Sequence, residues 1–263
     1  MKKTVIAAAL ASTVFSGAAM AWTAGGTGGN IEIGGNIQVT PYTTPWEVEV
    51  GAPANTLDAN ITKGTKVVMI PVTTSIPVLG IRTVSTTPFN GALGINPQID
   101  YNGAVSIDGF NDGSTTMTLP LMDADNPTSQ IGILNTSFYA GALSTWKRSA
   151  DGASRKYSTY AATVGQAFWG GVAKNAAGAA TGRNVVGELT AISPAYVANY
   201  NDQSATWANA STMTFLPVTD VVNTGVYGAG IKSGTNIKLT LTNPAANDVI
   251  KWKASLPVTV SYQ

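Results

Sequence analysis

The last twelve residues of the chain alternate without interruption between polar and apolar side chains. Successive side chains of a β-strand point to opposite faces, so this pattern places all the apolar positions on one face. Those positions are Trp252, Ala254, Leu256, Val258, Val260 and Tyr262. The pattern predicts a long C-terminal strand with one fully buried face. Pro257 has no N–H to donate, which predicts weaker pairing or a bulge at that point.

Shorter segments with the same period of two occur along the chain at 46–50, 117–121 and 237–241. They are rich in Val, Ile, Leu, Thr and Trp, which suit half-buried strands. The turn sequences between these strands are Asp108-Gly109, Asp112-Gly113 and Ser233-Gly234. The last of them predicts a hairpin that joins two strands. Many short alternating strands with glycine and proline turns predict an all-β sandwich or barrel.

One region, from about residue 145 to residue 207, departs from this pattern and is rich in Ala, Ser, Tyr and Gly. Helical spacing relates five of its residues: Tyr157, Tyr160, Ala161, Val164 and Phe168. Ser193-Pro194 is typical of a helix N-cap followed by proline at the first helical position. We therefore predict an insertion that contains one or two short helices.

The N-terminus has the three parts of a secretory signal peptide in the required order. Lys2 and Lys3 precede an apolar run over residues 5–15, and small residues end at Ala21, just before Trp22. The apolar run is too short to cross a bilayer as a helix. Cleavage is expected between Ala21 and Trp22. Loss of two of the 15 basic residues, against 14 acidic ones, would leave a net charge near −1.

The composition leaves little scope for catalysis or metal binding. The chain has no histidine and no cysteine, which removes the usual general base, the usual zinc ligands and the thiol nucleophile. Asp123 and Asp125 could be a carboxylate pair of a glycosidase, but their context is typical of a polar turn. We predict no catalytic residues, no metal and no cofactor. Basic runs longer than Lys147-Arg148 and Arg155-Lys156 are lacking, so no nucleic-acid partner is expected.

After the predicted cleavage site, a glycine-rich leader over residues 25–29 precedes a second alternating segment. Its repeating face consists of Ile31, Ile33, Gly35, Ile37 and Val39. One interpretation is a strand of the protein's own sheet. The other is an extended arm that completes the sheet of a neighbouring subunit by strand addition.

Several motifs together resemble a known family. They are Trp22, the segments 30–37 (NIEIGGNI) and 46–51 (WEVEVG), and, near the C-terminus, the segments 227–231 (YGAGI), 234–237 (GTNI) and 258–262 (VTVSY). In these motifs the chain resembles the chaperone–usher fimbrial subunits of the Fae type from Gram-negative enteric bacteria. Both ends of the chain match well and the middle only loosely.

The resemblance implies an incomplete immunoglobulin-like β-sandwich that lacks its last strand. A groove would run beside the C-terminal strand, where a periplasmic chaperone binds first. At an outer-membrane usher, the arm of the next subunit then replaces the chaperone by donor-strand exchange. The expected organisation is a signal peptide (1–21), a donor-strand extension (22–40) and a sandwich domain (41–263) with an insertion at about 145–207. The expected location is a fimbrium on the bacterial surface, reached through the periplasm.

Within this family we interpret the chain as a minor structural subunit, with the major and the adhesive subunit as alternatives. In an adhesive subunit, Tyr157, Tyr160 and Trp169 could stack on host glycans, although such residues more often belong to a local core. An alternative of another class is an outer-membrane β-barrel, which would also show alternation, a signal peptide and low charge. The predicted strands are mostly shorter than the 9 to 11 residues that cross a bilayer.

Overall fold

The computed structural model describes residues 33–36, 44–246 and 249–263. The chain divides into two units, Met1–Pro41 and Tyr42–Gln263, and every element named below belongs to the second. The strands are β1 (Trp46–Val50), β2 (Val67–Pro71), β3 (Ile76–Thr83), β4 (Phe89–Asn90), β5 (Pro97–Asp100), β6 (Ser114–Asp123), β7 (Gln130–Arg148), β8 (Ser154–Ser158), β9 (Val221–Ile231), β10 (Asn236–Leu241), β11 (Trp252–Lys253) and β12 (Thr259–Tyr262). Between β8 and β9 lie the helices α1 (Gly182–Ile192) and α2 (Pro194–Val197).

The main sheet is organised around β7, which is 19 residues long. Its first half pairs with β6 along one edge and with β10 along the other, and its second half pairs with β8 and β9. Beyond β10 and β9 lie β2 and β3, and β1 pairs with β3. A separate two-stranded sheet consists of β5 and β12. All these pairs are antiparallel. The predicted all-β sandwich class is confirmed.

The three shorter alternating segments form strands β1, β6 and β10, as predicted. In β6, the side chains of Met117, Leu119 and Leu121 are buried, whereas Thr118 and Pro120 are exposed. Hydrophobic alternation therefore identified the positions of these strands correctly. The apolar faces of β6 and β10 are buried, whereas in β1 only Trp46 is buried and Val48 and Val50 are exposed.

The turn predicted at Asp112-Gly113 is also confirmed. Both residues have positive φ, at 45° and 73°, which is the conformation of a tight two-residue hairpin turn. The flanking residues Asn111 and Ser114 exchange two backbone hydrogen bonds of 2.9 Å. The turn leads directly into β6.

The hairpin predicted at Ser233-Gly234 is wrong. Strands β9 and β10 do not pair with each other; both run antiparallel to β7, one after the other. The turn is instead a kink, and it is held by Val72, whose N–H donates to Thr235 O and whose O accepts from Gly234 N–H. The break between β2 and β3 lies beside the break between β9 and β10. The two strand pairs therefore bend at the same place, whereas β7 continues past it without a break.

The helical spacing from Tyr157 to Phe168 does not produce a helix. Tyr157 lies in β8, which pairs with β7, and residues 159–181 consist of turns and irregular backbone. Positive φ at Gly165, Phe168 and Gly170 is incompatible with a continuous right-handed helix. The helices occur later in the region, and α2 begins at Pro194 as predicted.

Helices α1 and α2 cover a second, smaller core. Its buried members are Tyr139, Leu143, Ala180, Val185, Leu189, Ile192, Tyr196 and Val226. The ring of Tyr196, which is 1% exposed, lies directly on the glycines of the sheet. A Cβ at Gly228 would be 2.7 Å from Cδ2 of this ring, and a Cβ at Gly80 would overlap the other side of the ring. The helices can approach the sheet this closely because these positions have no side chain.

This packing predicts that Gly80→Ala destabilises the protein by about 1–3 kcal/mol, because the added methyl group forces Tyr196 out of its place. Gly187→Ala is the matched control, since nothing lies within 4 Å of a Cβ built at this helical position. That control should be neutral or stabilise the protein by up to about 1 kcal/mol. Denaturant unfolding of the full chain measures both changes. Equal stability of the two variants would contradict the packing of α2 on the sheet.

In the part of the chain that the structure describes, neither helix has the length and apolar character needed to span a membrane.

Candidate functional site

The C-terminal apolar row comprises Trp252, Ala254, Leu256, Val258, Val260 and Tyr262. All six side chains are half-buried and alternate with exposed residues, so the alternation is confirmed. The predicted single long strand with a fully buried face is wrong. Only the two ends form strands: β11 pairs with β6, and β12 pairs with β5. The backbone of residues 254–258 makes no hydrogen bond to any other described residue.

The break in this row has a structural cause. Residues 104–106 occupy the edge of β6 next to the C-terminal segment, where Thr118 N–H donates to Ala104 O and Ser106 N–H donates to Thr116 O. The C-terminal segment therefore leaves β6 after Lys253 and joins β5 further on. Pro257, the position predicted to pair weakly, lies in the unpaired part.

The row lies against the main core but is not closed by it. All six side chains pack on the core cluster that includes Leu121, Ile99 and Ile70. Among the described strands, β11 and β12 each pair along one edge only. Among the described residues, an apolar face and an unpaired backbone edge therefore run together along residues 252–262. Burial raises the pKa of the Tyr262 phenol at the end of the row.

The predicted donor segment lies largely outside the described residues. Of its five apolar-face positions, only Ile33 and Gly35 are described, and Ile33 is 95% exposed. Ile31, Ile37 and Val39 lie outside the described ranges, as do the predicted cleavage residues Ala21 and Trp22. Both assignments stay predictions.

The three predicted receptor aromatics do not form an exposed surface together. Tyr157 is 6% exposed, its hydroxyl contacts Met213 Sδ at 3.2 Å, and burial raises its pKa to about 12. Tyr160 and Trp169 are half-buried and pack against the main core. The backbone of Trp169 accepts a hydrogen bond from Ile99 in β5.

A cleft of about 680 Å³ lies beside the start of α1 and was not predicted from the sequence. Its lining residues are Asp112, Ser158, Ala176, Ala177, Ala179, Ala180, Thr181, Gly182, Arg183, Trp207, Ala208, Asn209 and Ala210. They come from four separate stretches of the chain. No sequence spacing links them, so only the fold brings them together.

The indole of Trp207 packs against the first residue of α1. A Cβ at Gly182 would lie 2.8 Å from Cζ3 of the indole, so glycine is required for this approach. The guanidinium carbon of Arg183 lies 6.0 Å from the ring centroid, and Lys156 Nζ lies 5.1 Å from it. Both cations are within the range of attraction to an aromatic ring.

Polar groups surround this indole. The Asp112 carboxylate accepts a hydrogen bond of 2.7 Å from Thr181 N–H, which joins the turn before β6 to the start of α1. The hydroxyl of Ser158 is buried without a hydrogen-bond partner among the described residues. Lys156 pairs with Asp202, and this hydrogen bond lowers the pKa of the Asp202 carboxyl. The cleft therefore offers both donors and acceptors beside an aromatic ring.

The carboxylates considered for catalysis form a turn, as predicted. Asp123 Oδ1 accepts hydrogen bonds from the N–H groups of Asp125 and Asn126, and Asp125 pairs with Lys251. Across the described ranges, no group of three or more acidic side chains could hold a metal ion.

Comparison with known proteins assigns the chain to a family. The family model described as "Fimbrial, major and minor subunit", of the K88 type, matches residues 1–263. Three curated relatives from Escherichia coli align over their full length and the full length of this chain: K88 fimbrial protein AB at 31% identity, and K88 fimbrial proteins AC and AD at 32% each. The resemblance seen in the sequence is confirmed, and so is the prediction that the protein is not an enzyme. The chain belongs to the K88 family of major and minor fimbrial subunits.

Proposed function

We propose that this structural subunit of a surface fimbria polymerises by donor-strand exchange. In this proposal the N-terminal arm of one subunit lies along the C-terminal apolar row of the next. A periplasmic chaperone covers the same row before assembly, and an outer-membrane usher is the place of exchange. The observation that carries the proposal is a half-buried apolar row beside a backbone edge that pairs with no described strand.

The edge supports strand addition because the backbone of residues 254–258, which lies next to an apolar face, makes no hydrogen bond to the rest of the described chain. Exposed edges of this kind are the usual sites at which another chain adds a strand. The arm has the complementary pattern, with an apolar residue or glycine at every second position from Ile31 to Val39. A strand with that period would direct one face into the row and leave the other in solvent.

The magnitude of the burial also supports a stable joint. Burying one Ile or Val side chain contributes about 1.5–3 kcal/mol. The four aliphatic residues of the arm would thus contribute about 6–12 kcal/mol as an upper bound, before backbone pairing is added. This is close to the stability of an ordinary domain, about 5–15 kcal/mol.

The arm is tested by its register. Ile33→Asp should lower joint stability by about 3 kcal/mol or more, because it places a charge in an apolar pocket. Glu32→Lys, one residue away on the opposite face, should polymerise nearly normally. Gly35→Phe should fail if neighbouring side chains fill its pocket. The measurement is the ladder of denaturation-resistant oligomers on a gel run without boiling. Equal effects at positions 32 and 33 would contradict strand insertion.

The acceptor side has its own matched pair of variants. Val260→Asp should abolish the one-to-one complex with the matching chaperone, because residue 260 belongs to the apolar row. Ser261→Asp adds the same charge at an exposed neighbour and should leave the complex intact. Co-purification of chaperone and subunit from the periplasm measures both. Equal recovery of the chaperone complex from the two variants would contradict the proposed groove.

Within the fimbria we propose the minor structural role expected from the sequence, with the major role as the alternative. Quantitative mass spectrometry of purified fimbriae separates them. A minor subunit is present in far fewer copies than another subunit of the same fibre.

The cleft beside α1 supports a second candidate function, the binding of host glycans. Its volume is within the usual range of ligand sites, about 300–1,000 Å³. Its donors and acceptors match sugar hydroxyls, which both donate and accept hydrogen bonds, and the indole of Trp207 could contact an apolar ring face. The alanines that line the walls leave room for a ring. This site replaces Tyr157, Tyr160 and Trp169 as the candidate for adhesion.

Trp207→Ala should lower binding of fimbriated cells to a glycan array at least about tenfold, the equivalent of about 1.4 kcal/mol. Trp146→Ala is the control, because this half-buried tryptophan lies in β7 outside the cleft lining. Fimbrial yield is measured in parallel to separate binding from assembly. This function would be excluded if cells with Trp207→Ala bound the array as well as cells with the unsubstituted protein. It would also be excluded if cells with the unsubstituted protein bound no glycan on the array.

A further inference from the structure

Asn96, the residue before β5, holds the end of the chain. Its N–H and its Nδ2 both donate to Gln263 O, at 3.0 and 3.1 Å, and its own O accepts from Gln263 N–H at 3.1 Å. Its Oδ1 accepts a hydrogen bond of 2.7 Å from the backbone N–H of Phe215. The residue is 3% exposed. Every polar group of Asn96 therefore has a partner, and three of these bonds fix the residue that follows the apolar row.

The neighbouring residue, Ile95, is bonded to the start of the sandwich domain. Its O accepts a hydrogen bond of 2.7 Å from Trp46 Nε1. The indole of Trp46, which is 5% exposed, also packs on Phe215 with ring centroids 5.3 Å apart. The hydroxyl of Tyr262 is hydrogen-bonded to the side chain of Thr44.

Two functional ends of the subunit thus meet at residues 95 and 96. One is the end of the C-terminal apolar row, where the donor strand of a neighbour would finish pairing. The other is the segment 44–46, from which the subunit's own arm extends. Trp46 and Gln263 are bonded to adjacent residues of one short backbone segment, so order at one end can be transmitted to the other.

We propose that Asn96 is a positioning residue that couples occupation of the apolar row to the order of Trp46 at the base of the donor arm. The inference rests on the donor-strand function proposed above. When a donor strand pairs with β12, Tyr262 and Gln263 become more rigid. The hydrogen bonds of Asn96 to Gln263 then restrict the motion of Ile95, whose O accepts the hydrogen bond from Trp46 Nε1. The coupling is reciprocal, as any linkage between two binding or ordering equilibria must be.

A purely structural role of Asn96 makes a different prediction. Loss of buried hydrogen bonds would then lower protection from hydrogen exchange throughout the core, with or without an occupant in the row. Coupling instead requires that the response of Trp46 to an occupant depends on Asn96.

The experiment uses the full chain with Ile33→Asp, so that subunits do not fill one another's grooves. The probe is a synthetic peptide of residues 30–40, and the same peptide with Ile33→Asp is the negative control. Amide exchange at Tyr262 and indole N–H exchange at Trp46 are followed by NMR. With Asn96 present, the peptide should slow exchange at both positions at least about tenfold, equivalent to about 1.4 kcal/mol.

The variant is Asn96→Asp, which keeps an acceptor for Phe215 but removes the side-chain donor, so that a carboxylate oxygen would face Gln263 O. In this variant the peptide should still slow exchange at Tyr262, while exchange at Trp46 changes less than about twofold, which is under 0.5 kcal/mol. Asn96→Ser is used in the same way if the Asp variant does not fold. Asn90→Asp, the same change at an exposed residue of β4, should behave like the unsubstituted protein.

Equal slowing at Trp46 with and without Asn96 would overturn the coupling. The coupling would also be overturned if, in the protein that retains Asn96, the peptide slowed exchange at Tyr262 but not at Trp46. The donor-strand proposal would survive that result. If the peptide slowed exchange at neither position, the apolar row would not be an acceptor, and both proposals would be wrong.

Discussion

Strand β7 pairs along both edges over almost its whole length, and the positions of the other strands follow from it. Four strands pair with it directly, two on each edge, and the same residue often pairs on both sides, as Tyr139 does with Ser114 and Gly230. One uninterrupted strand can pair with four others because it has 19 residues, and at about 3.3 Å per residue it is long enough for two strands to lie end to end along each edge. Strands β9 and β10 run one after the other along β7, and β3 and β2 run in the same way beyond them. The bends between the two strands of each set, at residues 72 and 234, are hydrogen-bonded to each other.

This dependence on one strand explains what the sequence could and could not predict. Alternation identified β6 and β10 because it depends only on which face of a strand is buried. It also located β1, although Val48 and Val50 of that strand are exposed. The hairpin at Ser233-Gly234 failed because strand partners are chosen over long distances, and here both strands pair with β7. The helix predicted near Tyr157 failed for a related reason. That residue pairs with Ser144 in β7, and tertiary pairing overrode local spacing.

The candidate sites were predictable to different degrees. All six residues of the apolar row were found from the sequence, because a single continuous pattern contains them. The break in the backbone pairing of the row was not predicted, since it depends on residues 104–106, which take the edge of β6 that the row would otherwise occupy. The cleft beside Trp207 was missed entirely, because its residues come from four stretches without shared spacing. Asn96 was missed as well, since one buried asparagine leaves no periodic signal.

Under the proposed strand exchange, the incomplete burial of the apolar row would connect folding with assembly. A sandwich that keeps six apolar side chains half-exposed has lost part of the free energy that burial normally contributes, about 25 cal/mol per Å². Any strand that covers the row restores that contribution, so an occupant that binds only the folded subunit must also stabilise it. A groove closed by the subunit's own chain would make the monomer more stable but leave it without a means of joining a neighbour. Under the proposed strand exchange, a missing strand would not be a defect of the fold. If another chain completes the core, the most stable state available to the subunit is the polymer.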